Sequence, residues 1–407
     1  MEDAINSQRD VVATPPSEPD AGAPDPVSSS RRLGYLDGIR ALAALYVVLH
    51  HIYITVYPGY PVNTGPWFLS WLMFGQLGVA VFIVVSGFSL SLLPARHGYR
   101  MTGGLRRFFS RRAWRIIPPY WAAIVASVLL VLVINLRIHD PVSTKGVVVH
   151  FLLLQDILSG ASPNGAFWSI AVEWQLYFVF PLFLLARRHL GSVATALGAA
   201  VGIWAVYVLA VDVHGFGRLL HLSPQFAALF VFGIVAAQAT VSGSRTRRWP
   251  WGWISLCAIA LMVAACIWMG TPRALGDLYW YDLLGGVAMA TGLAALARGG
   301  AGAVERLLQR RPLMSVGRYS YSLYLIHGPL LLAVWVFLIH PMHLASNAEF
   351  LVMLGVCVPV CLAAAYGFFL LFERPFLRKR SFAALVPARW SAWRPRREVE
   401  PATGNAY

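Results

Sequence analysis

The chain has 407 residues, of which 58% are hydrophobic and 13% are charged, and its formal net charge is +15. A mean hydropathy of +0.61 is higher than a soluble core requires, so most of the chain is expected to contact lipid. The basic residues occupy short segments between apolar runs, a pattern that indicates membrane orientation rather than nucleic-acid binding.

Both ends of the chain differ from the apolar middle. Residues 1–34 contain no apolar run and no pattern of a cleavable signal peptide, and their Pro, Ser, Ala and Asp content predicts a disordered cytoplasmic tail. Residues 381–407 are predicted to form a basic cytoplasmic tail that contacts anionic lipid. Between the tails, residues 35–380 are predicted to form one membrane domain.

The middle of the chain predicts an all-α integral membrane protein of about ten transmembrane helices. Ten crossings place both termini on one side, the predicted cytoplasmic side of a bacterial-type inner (plasma) membrane. The positive-inside rule supports this division, because only Arg137, Lys145, Arg218 and Arg273 fall on the predicted outer side. A further apolar stretch, 147–158, is too short to cross and is predicted to lie at the outer surface or to re-enter. The predicted spans are 36–57, 68–93, 118–136, 167–186, 193–212, 225–241, 252–270, 279–297, 319–339 and 349–372.

The first span contains ionisable residues, which are costly in lipid and therefore suggest function. Asp37 and Arg40 are three residues apart and can form a pair near the cytoplasmic edge. Arg40 and His51 are eleven residues apart, so both project from nearly the same helix face, about 16 Å from each other. The two residues are predicted to line one shaft, while His50 projects about 80° away.

Glu173 lies near the start of the fourth span, and its predicted depth matches that of His51 in the outer half of the membrane. A carboxylate that supports a neutral imidazole is suited to taking a proton from a hydroxyl, and this role is predicted for the pair. The alternative is that Glu173 only bonds to a neighbouring helix.

Two further groups suggest ligand contacts in the inner half of the membrane. In the loop before the third span, Arg111 and Arg115 share a helix face, and Pro118 stands at the first turn of the span. Arginine forks suit phosphate, although such clusters also arise as topology signals or lipid contacts. In the ninth span, His327 is a candidate ligand or catalytic partner, while Tyr321 and Tyr324 are expected to form interhelix hydrogen bonds.

Other features predict structure rather than chemistry. Small residues in Ser86-Gly87-Phe88 allow two helices to approach closely. The cysteines lie within apolar runs without a second soft ligand at metal-site spacing, so no metal site is predicted. These cysteines are Cys257, Cys266, Cys357 and Cys361.

The motifs together resemble the membrane acyltransferase 3 family over about residues 33–380. One departure is Trp174, where the family often has a second acidic residue. The motifs follow the family's order: Leu36-Asp37-Gly38-x-Arg40 with His51, Ser86-Gly87-Phe88, Arg111-x3-Arg115-Ile116-x-Pro118, Trp168-Ser169 with Glu173, Tyr321-Ser322-x-Tyr324-Leu325-x-His327, and Glu373-x-Pro375.

This resemblance implies an O-acyltransferase with no tightly bound cofactor. The expected reaction moves an acyl group, commonly acetyl, from cytoplasmic acyl-CoA to a hydroxyl of a surface polysaccharide, glycolipid or glycosylated natural product. By position, the resemblance implies Arg40 and His51 as the catalytic pair and Arg111 and Arg115 as the family's second arginine pair. Together with the residue arguments above, Arg40, His51 and Glu173 are the predicted catalytic residues. Arg111, Arg115 and His327 are the predicted donor-binding residues. Family members often append an extracytoplasmic hydrolase-like domain, and here the membrane domain is expected to act without one.

Two other functions fit the same residues. Charged groups within spans also mark transport paths, so an exporter of an acylated or succinylated small molecule is the first alternative. A membrane protein that only binds lipid or another subunit is the second. Export without any need for acyl-CoA would select the first alternative. For the second, replacement of His51 or Arg40 should affect only expression.

Overall fold

A computed structural model describes residues 33–137, 142–158, 160–213, 217–241, 249–276, 278–299 and 301–378. The regular elements in these ranges are helices, as predicted. Most of the two predicted tails, 1–34 and 381–407, lies outside the described residues. In chain order the α-helices are α1 (Gly34–Val56), α2 (Gln76–Arg96), α3 (Gly104–Ile134), α4 (Thr144–Phe151), α5 (Gln155–Leu158), α6 (Trp168–Asp212), α7 (Gln225–Ala236), α8 (Trp251–Met269), α9 (Thr271–Gly276), α10 (Leu278–Ala297), α11 (Gly302–Leu308), α12 (Arg311–Arg318), α13 (Ser320–Val334), α14 (Ser346–Phe368) and α15 (Arg374–Arg378).

Nine helices in the described ranges are long and apolar enough to cross a membrane. The difference from the predicted ten arises in α6, a 45-residue helix that covers the predicted spans 167–186 and 193–212. Its backbone leaves the helical region at Gly191, with φ 85° and ψ 178°. Positive φ is favourable for glycine because it lacks Cβ, so the helix kinks at this residue. The predicted break between the two spans falls at this kink.

The Arg-rich segment before the third span is helical, and its prediction as a loop is wrong. Helix α3 begins at Gly104, directly after Gly103 with φ 81°, and Pro118 lies inside the helix rather than at its first turn. Arginine favours helix almost as strongly as leucine, so the helix extends beyond the apolar run. The short stretch 147–158 forms parts of the small helices α4 and α5.

Helices α2 and α7 pack through glycines, which confirms the close approach predicted at Gly87. A Cβ on Gly87 would lie 2.1 Å from the carbonyl oxygen of Phe230 in α7. Reciprocally, a Cβ on Gly233 would lie 2.1 Å from the carbonyl oxygen of Val84 in α2. The two backbones are therefore in direct contact, and we call these two glycines with their facing carbonyls the α2–α7 seam.

Candidate active site

A cavity of about 90 Å³ lies among α1, α2, α3, α6 and α13. Three arginines line it together with one carboxylate, so its walls carry an excess of positive charge. Apolar side chains such as Phe82 and Ile170 complete the lining. The charged residues of this arginine cavity are Arg40, Arg112, Arg115 and Glu173.

Arg40 is held from two helices. Its Nη1 donates to Asp37 Oδ1 of α1 at 3.4 Å, and its Nη2 donates to Ser89 Oγ of α2 at 3.0 Å. The predicted Asp37–Arg40 pair is therefore confirmed. Ser89 was not predicted, because a contact between helices leaves no spacing signal in the sequence. The planar guanidinium is fixed by both partners and faces the arginine cavity.

Glu173 accepts two hydrogen bonds on one oxygen. Ser86 Oγ donates to Oε1 at 2.9 Å, and Tyr177 Oη donates to the same atom at 2.6 Å. Oε2 has no hydrogen-bond partner in the part of the chain that the structure describes, and Glu173 lines the arginine cavity. Ser86, which the sequence assigned to packing alone, therefore also positions a carboxylate.

The second cavity arginine on α3 is Arg112, whereas the sequence pattern favoured Arg111. Arg112 and Arg115 both line the arginine cavity, one helical turn apart. The guanidinium of Arg111 instead lies beside Gly103 at the start of the helix. Neighbouring helix positions point about 100° apart, so one face cannot carry both residues. The i, i+3 spacing of Arg112 and Arg115 was a signal that could have identified the pair.

His51 and His327 lie side by side, although the sequence placed them in opposite halves of the membrane. His327 Nε2 is 3.4 Å from His51 Nδ1, and the ring centroids are 4.9 Å apart. His51 Nδ1 is also 2.8 Å from the carbonyl oxygen of Val47, and His327 Nδ1 is 2.7 Å from that of Tyr324. Carbonyls accept, so we assign the Nδ1–H tautomer to both rings. His51 Nε2 is then an unprotonated nitrogen with no hydrogen-bond partner among the described residues.

The prediction that Glu173 supports His51 is wrong. The carboxylate bonds to Ser86 and Tyr177, whereas His51 contacts His50 and His327 through its ring. Two side chains at the same depth in the membrane can point toward different neighbouring helices. Depth alone therefore does not show that they are in contact. His327 takes the position beside His51 that was predicted for the carboxylate.

Tyr324 connects the arginine cavity to the histidine pair. Its hydroxyl is 2.6 Å from Ser169 Oγ and donates to the carbonyl of Ala166 at 3.0 Å. The Tyr324 ring lies 5.7 Å from the ring of His327. The expected interhelix bonding is thus confirmed for Tyr324, and for Tyr321, whose hydroxyl donates to the carbonyl of Ile116 at 3.2 Å. Tyr324 therefore lies between the arginine cavity, which it lines, and the ring of His327, which contacts His51.

Two buried carboxylates belong neither to the arginine cavity nor to the histidine pair. Glu373, in a π-helical turn, accepts a hydrogen bond from Ser322 Oγ at 2.6 Å and fastens that turn to α13. Asp282 of α10 is fully buried, and its Oδ2 accepts from Gln76 Nε2 at 2.5 Å and from Gln225 Nε2 at 3.4 Å. The sequence reasoning missed Asp282, although an Asp within the apolar run 279–297 was a visible signal.

The described residues offer no cluster of side chains that could bind a metal ion. Among the residues that the structure describes, no group of three or more His, Cys, Asp or Glu side chains could hold a metal ion. The described cysteines are free thiols. The candidate site therefore consists of arginine, carboxylate, hydroxyl and imidazole groups.

Comparison with known proteins gives a consistent result. A family model described as an acyltransferase domain matches residues 33–366. Peptidoglycan O-acetyltransferase OatA of Listeria monocytogenes is 25% identical over 323 residues, which cover 73% of this chain and 49% of that protein. O-acetyltransferase OatA of Staphylococcus aureus is 25% identical over 337 residues, covering 75% of this chain and 52% of that protein.

These matches cover only part of the relatives, since the chain spans about half the length of both OatA proteins. No solved structure matches the chain. The family model nevertheless extends from the start of α1 into α14, and it includes every residue of the arginine cavity and the histidine pair. This multi-pass membrane protein therefore belongs to the acyltransferase 3 family.

Proposed function

We propose that the chain is a membrane O-acetyltransferase that moves an acetyl group from acetyl-CoA to a hydroxyl of a glycan-containing acceptor. The observation that carries this proposal is a cavity with three arginines whose lining residue Tyr324 lies beside the pair of His327 and His51. Among the described residues His51 Nε2 has no hydrogen-bond partner, so it can act as a base. The names of the relatives suggest the acetyl group and the glycan, since one is a peptidoglycan O-acetyltransferase and the other an O-acetyltransferase.

The charge of the cavity supports an anionic donor. Arg40, Arg112 and Arg115 face one cavity that contains a single carboxylate, Glu173. Arginine forks bind phosphate oxygens in a bidentate manner, and the phosphates of acyl-CoA fit this pattern. In this proposal Arg112 and Arg115 bind the donor, and Arg40, fixed by Asp37 and Ser89, orients it.

His51 supplies the proton transfer. The carbonyl of Val47 and Nε2 of His327 hold the Nδ1–H of His51, which leaves Nε2 to accept the proton of the acceptor hydroxyl. The hydroxyl oxygen attacks the thioester carbonyl carbon, the carbon–sulfur bond breaks, and the thiolate takes the proton from His51. His327 stabilises the tautomer of His51 and does not touch the reacting atoms.

The proposed topology has ten crossings, with the two sides of Gly191 in α6 counted as separate spans. Both termini are then cytoplasmic, in a bacterial-type inner membrane. The Arg-rich start of α3 faces the cytoplasm in this arrangement, where acyl-CoA is available. Cysteine labelling at the start of α1 and in the C-terminal tail tests it, and labelling of the two ends from opposite sides would contradict it.

The first experiment compares His51→Ala with His97→Ala in membranes supplied with labelled acetyl-CoA. His97 is an exposed histidine directly after α2, and its Nδ1 lies 3.0 Å from the carbonyl of Leu93 in that helix, so it is a matched control. General acid–base catalysis contributes about 10²- to 10⁴-fold, and we expect a loss of that size for His51→Ala alone.

The readouts are thiol release and label in the lipid and glycan fractions. Equal activity of the two variants, or export without any need for an acyl donor, would contradict the proposal. Rapid acid quench distinguishes direct transfer from transfer through an acetylated protein, because direct transfer leaves no acetyl-protein. An acetyl-protein that disappears in His51→Ala would instead show a covalent intermediate on this residue.

A further inference from the structure

A second cavity, of about 470 Å³, lies between α6, α7, α8 and α10, away from the arginine cavity. Its walls are mostly apolar, with Leu197, Phe232 and Val287 on three of the helices. The described residues that line it include no carboxylate. The lining of α6 extends from Ser192 to Ala200, so the groove follows this helix for about 12 Å. A surface of this shape and composition suits a long hydrocarbon chain.

Basic residues lie next to the residues that line one end of this apolar cavity, which we call the lipid groove. Gln238 lines the groove, and Arg187 Nη2 donates to its Oε1 at 3.1 Å. Tyr99 fixes both partners, because its hydroxyl donates to the same Oε1 at 3.1 Å and the Arg187 guanidinium lies 4.3 Å above its ring. Arg298 lies four residues beyond Ala294, a lining residue of α10.

The two arginines have unused donors. The Nε atoms of Arg187 and Arg298 are buried, and neither has a hydrogen-bond partner in the described part of the chain. Neither arginine borders the groove directly, so each guanidinium must turn to meet a ligand there. Because a buried donor without a partner is costly, an acceptor at the end of the groove favours that turn. Phosphate oxygens meet this need and complement the positive charge.

We propose that the lipid groove binds an anionic phospholipid. One acyl chain occupies the apolar groove, and the phosphate-bearing headgroup lies at Arg187 and Arg298. A peptide or a second copy of the chain fits less well, because the groove lies among membrane-spanning helices and a peptide there would need every backbone group satisfied. This site is separate from the proposed acetyl transfer and does not depend on it.

The test uses the full chain purified in mild detergent, with phosphatidylglycerol or phosphatidylcholine of identical acyl chains added and retention measured by native mass spectrometry. We expect one retained phosphatidylglycerol and about tenfold weaker retention of phosphatidylcholine. The double change Arg187→Gln and Arg298→Gln should remove this preference. Arg188→Gln, at an exposed neighbouring position, is the matched charge control and should retain it.

A second pair of variants tests the groove itself. Ala200→Phe fills the groove, and Val201→Phe adds the same ring on a face that is 60% exposed. We expect loss of the bound lipid only for Ala200→Phe, at an unchanged elution volume on size exclusion.

Three results would overturn the assignment. The first is equal retention of the two phospholipids. The second is retention that is unaffected by Ala200→Phe. The third is displacement of phosphatidylglycerol by an equimolar polyprenyl phosphate, which would reassign the groove to an isoprenoid lipid.

Discussion

The hydrogen bond between Arg40 and Ser89 gives the sharpest prediction about the arginine cavity. Arg40→Lys keeps a positive charge but replaces the planar fork by a single ammonium, which cannot reach Asp37 and Ser89 together. Ser89→Ala keeps the arginine and removes only the acceptor at 3.0 Å. Both changes leave the basic group at position 40, which is proposed to orient the donor, less firmly held.

The expected size follows from the type of bond. A hydrogen bond that involves a charged group contributes about 1.5–3 kcal/mol, which corresponds to about 10- to 150-fold in a rate or equilibrium. We therefore expect each single variant to lower kcat/KM for acetyl transfer within this range. Because Ser89 acts only through Arg40, the double variant should be no worse than Arg40→Lys alone.

The assay is steady-state acetyl transfer by the reconstituted protein, with the double-mutant cycle as the measured quantity. Ser91→Ala is the control, since Ser91 lies on the same helix, is buried, and its hydroxyl has no hydrogen-bond partner among the described residues. Additive losses in the double variant, or wild-type activity of Arg40→Lys, would refute the reasoning.

Three further predictions concern binding and stability. Arg112→Gln should raise the KM for acetyl-CoA about tenfold while Arg111→Gln leaves it near the wild-type value, and equal effects in steady-state kinetics would contradict the assignment of Arg112 to the cavity. Gly87→Leu should destabilise the protein by at least about 1–3 kcal/mol through overpacking, measured as a lower Tm in detergent, and an unchanged Tm would show that the helices can separate freely. Asp282→Leu should cost about 1–3 kcal/mol because the amide of Gln76 loses its acceptor, whereas Asp282→Asn keeps a carbonyl oxygen there and should cost less; equal Tm values for the two variants would argue against that bond.

The sequence predicted the helices well because lipid imposes a simple requirement. Each span must be about 20 apolar residues long, and α8 and α10 therefore begin and end within one residue of the predicted 252–270 and 279–297. The start of α3 could not be located in this way, since Arg106 to Arg115 interrupt the apolar run but continue the helix. The same reasoning found the Asp37–Arg40 pair, because spacing within one helix fixes which side chains meet.

Contacts between helices were harder to predict. His51 and His327 are separated by 276 residues, and only the rotation of α1 and α13 about their axes brings the rings together. Periodicity gives the residues that share a face, but it does not give the neighbour that this face meets. For the same reason Glu173 was assigned to His51 rather than to Ser86.

The α2–α7 seam has a consequence for motion. Since each glycine Cα stands against a carbonyl of the opposite helix, sliding or rotation of α2 against α7 would drive backbone atoms into each other. Helix α2, which presents Ser86 and Ser89 to the cavity, thus behaves as a fixed wall. Any opening that admits a donor or releases a product must come from displacement of the helices on the other sides of the cavity, such as α3 or α13. Ser89 of α2 and Arg40 of α1, which are joined by a hydrogen bond, then keep their spacing while the passage beside them widens and narrows.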